Sequence, residues 1–240
     1  GTRGQGLVAV DRSGHRPVPL VRQSDGRTLR PVHVMDLHER DGSLWMATLD
    51  GVLHADVSPP RFAPVAHDPE APGGLRVPAV MSVHASRLDP EVVWVGTVSG
   101  GLHRYDRATG EAEQWFGETS HPLSVLFAIH ETESGDLWLG GTIPAVYRFR
   151  PGSAPEPVAL AGAPGGYVTD LVPGRATPGD LWVTTSSAGV WRLTMETQTV
   201  TPFLREPAWV WTVHEPPDEP GVLYAATDRG GLLRVDIATG

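Results

Sequence analysis

A unit of about 45 residues recurs along this chain, and every copy leads through a glycine turn into a strand, usually from an aromatic one. Six copies of that turn region occur, at residues 1–7, 44–52, 93–102, 137–141, 181–185 and 223–232. A period of this length made only of short strands and tight turns restricts the chain to an all-β repeat architecture. The one that fits is a β-propeller of four-stranded antiparallel blades. Counting turn copies gives six blades, with a seven-bladed ring or part of a larger ring as the alternative. The even spread of repeats over 240 residues argues for one domain, 1–240. Gly1-Thr2 aligns with Gly96-Thr97 in mid-strand, so the chain reads as a piece of something longer. The N-terminal outer strand near Pro17 to Leu20 would then complete the last blade, whose own copy stops before a fourth strand.

Within a unit, the first strand carries two apolar columns, Val34, Val80, Leu126, Val168, Val210 and Leu37, Val83, Ile129, Leu171, Val213. Such columns suit sheets covered on both faces. Between them runs a small or polar column, Asp36, Ser82, Ala128, Asp170 and Thr212, suited to the crowded inner rim of a ring. A hairpin rich in Gly, Asp and Pro follows, supplying the backbone angles that tight turns need. Trp45, Trp94, Trp138, Trp182 and Tyr224 then stand at one register beside apolar columns, which marks them as packing between blades rather than as a sugar platform.

The pattern Leu-Trp-x-Gly-Thr-x-x-Gly-Gly-Leu-x-Arg-Tyr-Asp, carried by Leu137 and Trp138 and by Trp94 through Gly96, Thr97, Gly100, Gly101, Leu102, Arg104, Tyr105 and Asp106, resembles the two-component regulator propeller repeat. That repeat builds the periplasmic sensor region of many hybrid histidine kinases and diguanylate cyclases, and the resemblance covers nearly the whole chain. It implies a propeller that binds a ligand or partner in an extracytoplasmic, periplasmic setting in a bacterium and passes a signal to a segment beyond the repeats. A weaker likeness, in hairpins such as the one from Asp89 to Trp94, is to sialidase-like propeller repeats. The Ser-x-Asp-x-Gly-x-Thr-Trp box of those hydrolases is absent, and the resemblance to virginiamycin-type lyases is architectural only.

Charge and composition narrow the partners. A net charge of −9 gives no electrostatic reason to expect nucleic acid. The absence of cysteine excludes disulfides, thiolate catalysis and Cys-ligated metal. No stretch reaches the roughly 18 apolar residues of a membrane span, so no membrane insertion of this segment is expected. Histidine recurs at one register as His38, His84, His130 and His214, but repeat-equivalent positions lie a blade apart, and a metal needs ligands converging on one point. No metal and no cofactor are expected. Asp36 and Asp170 share a register facing the channel and form a candidate carboxylate pair, but neither has an accompanying Glu or Tyr constellation of the kind glycosidases need.

Rigid scaffolds leave their loops free to vary. The residues leading into the inner strands, His33, Ala79, Val125, Tyr167 and Trp209, differ from copy to copy. With Trp211, His121, and the turn residues Asp50, Asp228 and Arg229, they form the candidate ligand-binding face, with Asp36 and Asp170 as channel-lining residues. The expected function is a non-enzymatic ligand- or protein-binding propeller, a sensor or interaction domain of a bacterial signalling protein. The expected partner is a small molecule, a glycan or another protein chain. The alternative is a sialidase-like glycoside hydrolase or lyase-type propeller enzyme acting on a glycan or lactone.

Overall fold

The computed structural model describes residues 34–40, 43–49, 51–57, 60–65, 74–75 and 77–239, together with Val8–Ala9 and Val18–Pro19. The chain divides into two compact units, Gly1–Val125 and Leu126–Gly240. In the first, β1 (Val8–Ala9) pairs antiparallel with β2 (Val18–Pro19). Two four-stranded antiparallel sheets follow. One is built from β3 (Val34–Arg40), β4 (Ser43–Thr48), β5 (Gly51–Val57) and β6 (Pro60–Val65). The other contains β7 (Val80–Ala85), β8 (Val92–Thr97), β9 (Leu102–Asp106) and β10 (Ala112–Trp115).

The second unit holds three such sheets. The first is β11 (Leu126–Glu131), β12 (Leu137–Gly141), β13 (Ala145–Phe149) and β14 (Glu156–Ala159). The second comprises β15 (Val168–Pro173), β16 (Asp180–Thr185), β17 (Val190–Thr194) and β18 (Thr199–Leu204). The last has three strands, β19 (Val210–His214), β20 (Val222–Thr227) and β21 (Leu232–Asp236).

The fold is therefore all-β and of propeller type, but with five blades among the described residues, where the turn count predicts six. A blade needs an inner strand, and the inner-strand columns have only five members. The N-terminal copy supplies a two-stranded piece, with β2 paired to β1.

Blades within a unit pack as the columns predict. In the first unit Trp45, Ala47 and Val52 of one blade meet Val80, Val83, Val93 and Val95 of the next. In the second, Trp138 and Val146 meet Val168, Leu171, Leu181 and Val183, while Trp182 and Val190 meet Val210, Val213, Leu223 and Ala225. Leu37 departs from its column, 37% exposed where Val83 is 3%. It lies on the side of the first blade that, in its neighbour, is turned to the preceding blade. Among the described residues no helix is long and apolar enough to cross a membrane.

Candidate functional site

All five inner strands bulge at the same place. The pairing slips between Val34 and Asp36, Val80 and Ser82, Leu126 and Ala128, Val168 and Asp170, and Val210 and Thr212. An extra residue inserted there escapes the ladder and is re-aimed. Those residues are Met35, Met81, Phe127, Thr169 and Trp211, each half-buried. Just upstream, the residue leading into the strand is tied by its backbone to the turn between the second and third strands. The Val98 N–H donates to the Ala79 carbonyl at 2.9 Å, Ser186 to Tyr167 at 3.0 Å, and Asp228 to Trp209 at 3.3 Å. Leading residue, bulge residue and turn thus gather at one end of these three blades.

In the second unit this end is aromatic. The Phe127 ring stacks on Tyr167 at 4.8 Å between centroids, Tyr167 meets Trp209 edge to face at 5.9 Å, and Trp209 lies against Trp211 at 5.0 Å. All four residues are half-buried. The scaffold beneath holds them. Ser186 Oγ accepts the Tyr167 N–H at 3.0 Å, and Gly166 (φ 84°) passes so close to Ser187 that a Cβ there would lie 2.2 Å from its hydroxyl oxygen. Thr169 donates to the Val210 carbonyl at 2.5 Å, and Thr184 donates to that of Trp211 at 3.2 Å. The Trp209 indole Nε1 is buried and has no hydrogen-bond partner.

Of the residues expected from sequence, Tyr167, Trp209 and Trp211 are brought together. Asp228 and Arg229 sit on the turn bonded to Trp209 and pair with each other at 3.3 Å, the Arg229 side chain 95% exposed. His121 is in the first unit, where its ring stacks on Phe116 at 4.7 Å and its Nδ1 accepts the Leu123 N–H at 3.1 Å. His33 and Asp50 lie outside the described residues. Phe127 is a member of the row that the reading of leading residues passes over, because in its copy the leading residue is Val125 and the ring comes two residues later.

The two aspartates of the inner column join blades. Asp36 accepts from its neighbour Leu37 N–H at 2.8 Å and from Val83 N–H of the next blade at 3.2 Å. Asp170 accepts from Leu171 N–H at 2.8 Å and from the Thr212 hydroxyl of the next blade at 2.6 Å. Burial pushes the Asp170 carboxyl above its ordinary value, with the Thr212 and Leu171 bonds pulling the other way. Of the recurrent histidines, His38, His84, His130 and His214 stand across the ladder from Trp45, Trp94, Trp138 and Tyr224, and the His38 and His84 rings lie 5.1 Å apart. Among the described residues no group of three or more His, Asp or Glu is placed to hold a metal ion.

A second repeated device is absent from the sequence reading. An arginine faces the aromatic column from the third strand, and a hairpin acid holds it: Arg104 with Asp89, Arg148 with Asp136, Arg192 with Asp180, Arg234 with Glu219. The first blade has His54 at that register, its ring 4.3 Å from Trp45, and Arg107 lies over the same Trp at 5.4 Å. The signal for it was an Arg in the third strand of four copies, twelve to fifteen residues after an acid.

No protein-family model matches the sequence, and no curated protein matches it. Solved structures do. The chain is similar over 98% of its length to the extracellular domain of the putative hybrid two-component system BT3049 from B. thetaiotaomicron, at 20% identity and a TM-score of 0.75. The extracellular domain of the putative one-component system BT4673 from the same organism matches over 96% at 16% identity, with a TM-score of 0.70. The computationally designed Ika8 protein matches over 90% of this chain and 63% of its own, at 15% identity and a TM-score of 0.59. Against the two B. thetaiotaomicron domains the chain spans only 31% and 30% of their length. These likenesses establish a propeller fold, and they agree with the resemblance carried by Trp94 to Asp106.

Proposed function

We propose that this chain is a non-enzymatic binding propeller, a sensor or interaction domain of a bacterial signalling protein working outside the cytoplasm. Its ligand, a small molecule, a glycan or a segment of another protein chain, docks on the face formed by Tyr167, Trp209 and Trp211, with Phe127 extending it and Asp228 and Arg229 at its rim. The observation that carries this reading is the aromatic row itself. Its four rings occupy the positions that vary in an otherwise regular repeat, they touch in sequence, and each residue is half-buried. Aromatic surface held rigid at low entropic cost is what binding faces use. The extracellular placement of the B. thetaiotaomicron domains supports the compartment.

The hydrolase or lyase alternative finds no support in the inner carboxylates, since both Asp36 and Asp170 hold neighbouring blades together. A thermal-shift screen of the chain against oligosaccharides, small organic acids and peptides tests the reading. A ligand at 100 times its Kd adds about 2.7 kcal/mol of stability. The expected result is a hit that Trp211→Ala abolishes; turnover of a glycan or lactone, or hits indifferent to the row, would sink it.

A further inference from the structure

Resting on that reading, and naming its ligand class, we infer that the aromatic row receives a proline-rich segment of a partner chain in the polyproline II conformation. Two observations select it. The first is what the row lacks. Sugars are recognised by polar side chains placed around a stacking face, and here the polar groups beneath the row are already engaged within a blade or with the next one. Ser186 Oγ accepts from Tyr167, Ser187 Oγ donates to the Gly165 carbonyl, Thr169 and Thr184 donate to the Val210 and Trp211 carbonyls, and both Asp170 oxygens accept a hydrogen bond. What the row itself offers a ligand is ring surface, with Asp228 and Arg229 at its rim.

The second observation is the donor left over. Trp209 Nε1 carries a buried N–H with no acceptor, set between the edge-on Tyr167 and the tilted Trp211. A buried donor without a partner favours any movement that finds it one. Polyproline II has no internal hydrogen bonds, so its carbonyls are all available, while its pyrrolidine rings need only apolar or aromatic faces. A small tilt of the Trp209 ring brings its N–H to such a carbonyl while prolines seat in the right-angled corner that Tyr167 and Trp209 form. The nearby Arg229 guanidinium, 95% exposed and paired at the surface with Asp228, is complementary to an acidic residue beside the prolines.

The test is a titration of the whole chain with decaproline carrying two C-terminal aspartates, followed by tryptophan fluorescence and by the indole N–H signals in NMR. A glycine-serine peptide of equal length and charge and a panel of neutral oligosaccharides run beside it. Expected are binding of the proline peptide alone, a displaced Trp209 indole N–H signal, and a loss of about tenfold in affinity for Trp209→Phe, which keeps a ring and removes the donor. Arg229→Ala should weaken binding by about threefold in low salt. Melting temperature checks that Trp209→Phe remains folded. Oligosaccharide binding on the row with no proline binding would overturn this inference and leave the binding face standing. Silence from every probe at the row would count against both. Proline binding that Trp209→Phe and Trp211→Ala leave unchanged would place the peptide elsewhere and also overturn it.

Discussion

Asp136 accepts from Arg148 Nε at 3.1 Å and Nη2 at 2.6 Å through one carboxylate oxygen and from Arg150 Nε at 2.7 Å through the other. Burial opposes its charge, but the two guanidiniums hold its carboxyl below the ordinary value of 3.8. Because the folded pKa is depressed, the stabilisation is present above the unfolded value and lost as pH falls through the folded one. Asp136→Asn should cost about 1–3 kcal/mol at neutral pH, read by urea unfolding, with the gap from wild type closing as the medium becomes strongly acidic. Asp170 has the opposite sign. Its folded pKa is raised above 3.8 by burial, so the protonated form favours folding and the advantage fades as pH rises from about that value. Asp170→Asn can keep the bonds to Leu171 and Thr212 without a charge. Melting curves should therefore show the variant gaining on wild type between acid and neutral pH; a constant difference would mean that Asp170 does not titrate as its burial requires.

Glycine turns show how one element is judged by what packs on it. Gly189 has φ 71°, and a Cβ there would lie 1.9 Å from the Leu204 carbonyl oxygen of the outer strand β18. Gly231 has nearly the same angle, φ 70°, but meets nothing, since its blade is three-stranded among the described residues. Gly231→Ala should cost about 1–2 kcal/mol from backbone strain alone, and Gly189→Ala clearly more, because the strand must also move. Equal costs in denaturant unfolding would refute that account. The turn was legible as glycine in the sequence, but its lock was not. Thr48, Thr97, Thr185 and Thr227 each donate to the carbonyl of the turn glycine at 2.7–3.1 Å, which no alternation of polar and apolar residues reveals. The inner-strand bulge was hidden for a related reason: a bulge adds one residue without changing composition. The ring-bearing position differs between copies, the leading residue in Tyr167 and the bulge residue in Phe127, with Trp209 and Trp211 filling both.

Across the whole molecule, periodicity gave the architecture while the choice of landmark set the blade count. Counting glycine turns yields six; counting inner strands yields the five found among the described residues. The four tryptophans of the aromatic column are buried as packing, with Trp138 and Trp182 each 1% exposed, whereas Tyr224 is half-buried and donates to Glu219. The aromatic row was legible only in part, because variation within a repeat marks positions but says nothing of which ones meet. Tyr167, Trp209 and Trp211 meet, whereas His121 is held in its own loop. The chain's eight tryptophans offer a direct readout of that face. With 5-fluorotryptophan incorporated throughout, fluorine NMR during titration with the Asp-tailed decaproline and the oligosaccharide panel should shift the Trp209 and Trp211 resonances and leave Trp138 and Trp182 in place. Shifts spread over the buried column, or none at the row under any probe, would contradict a binding function for this face.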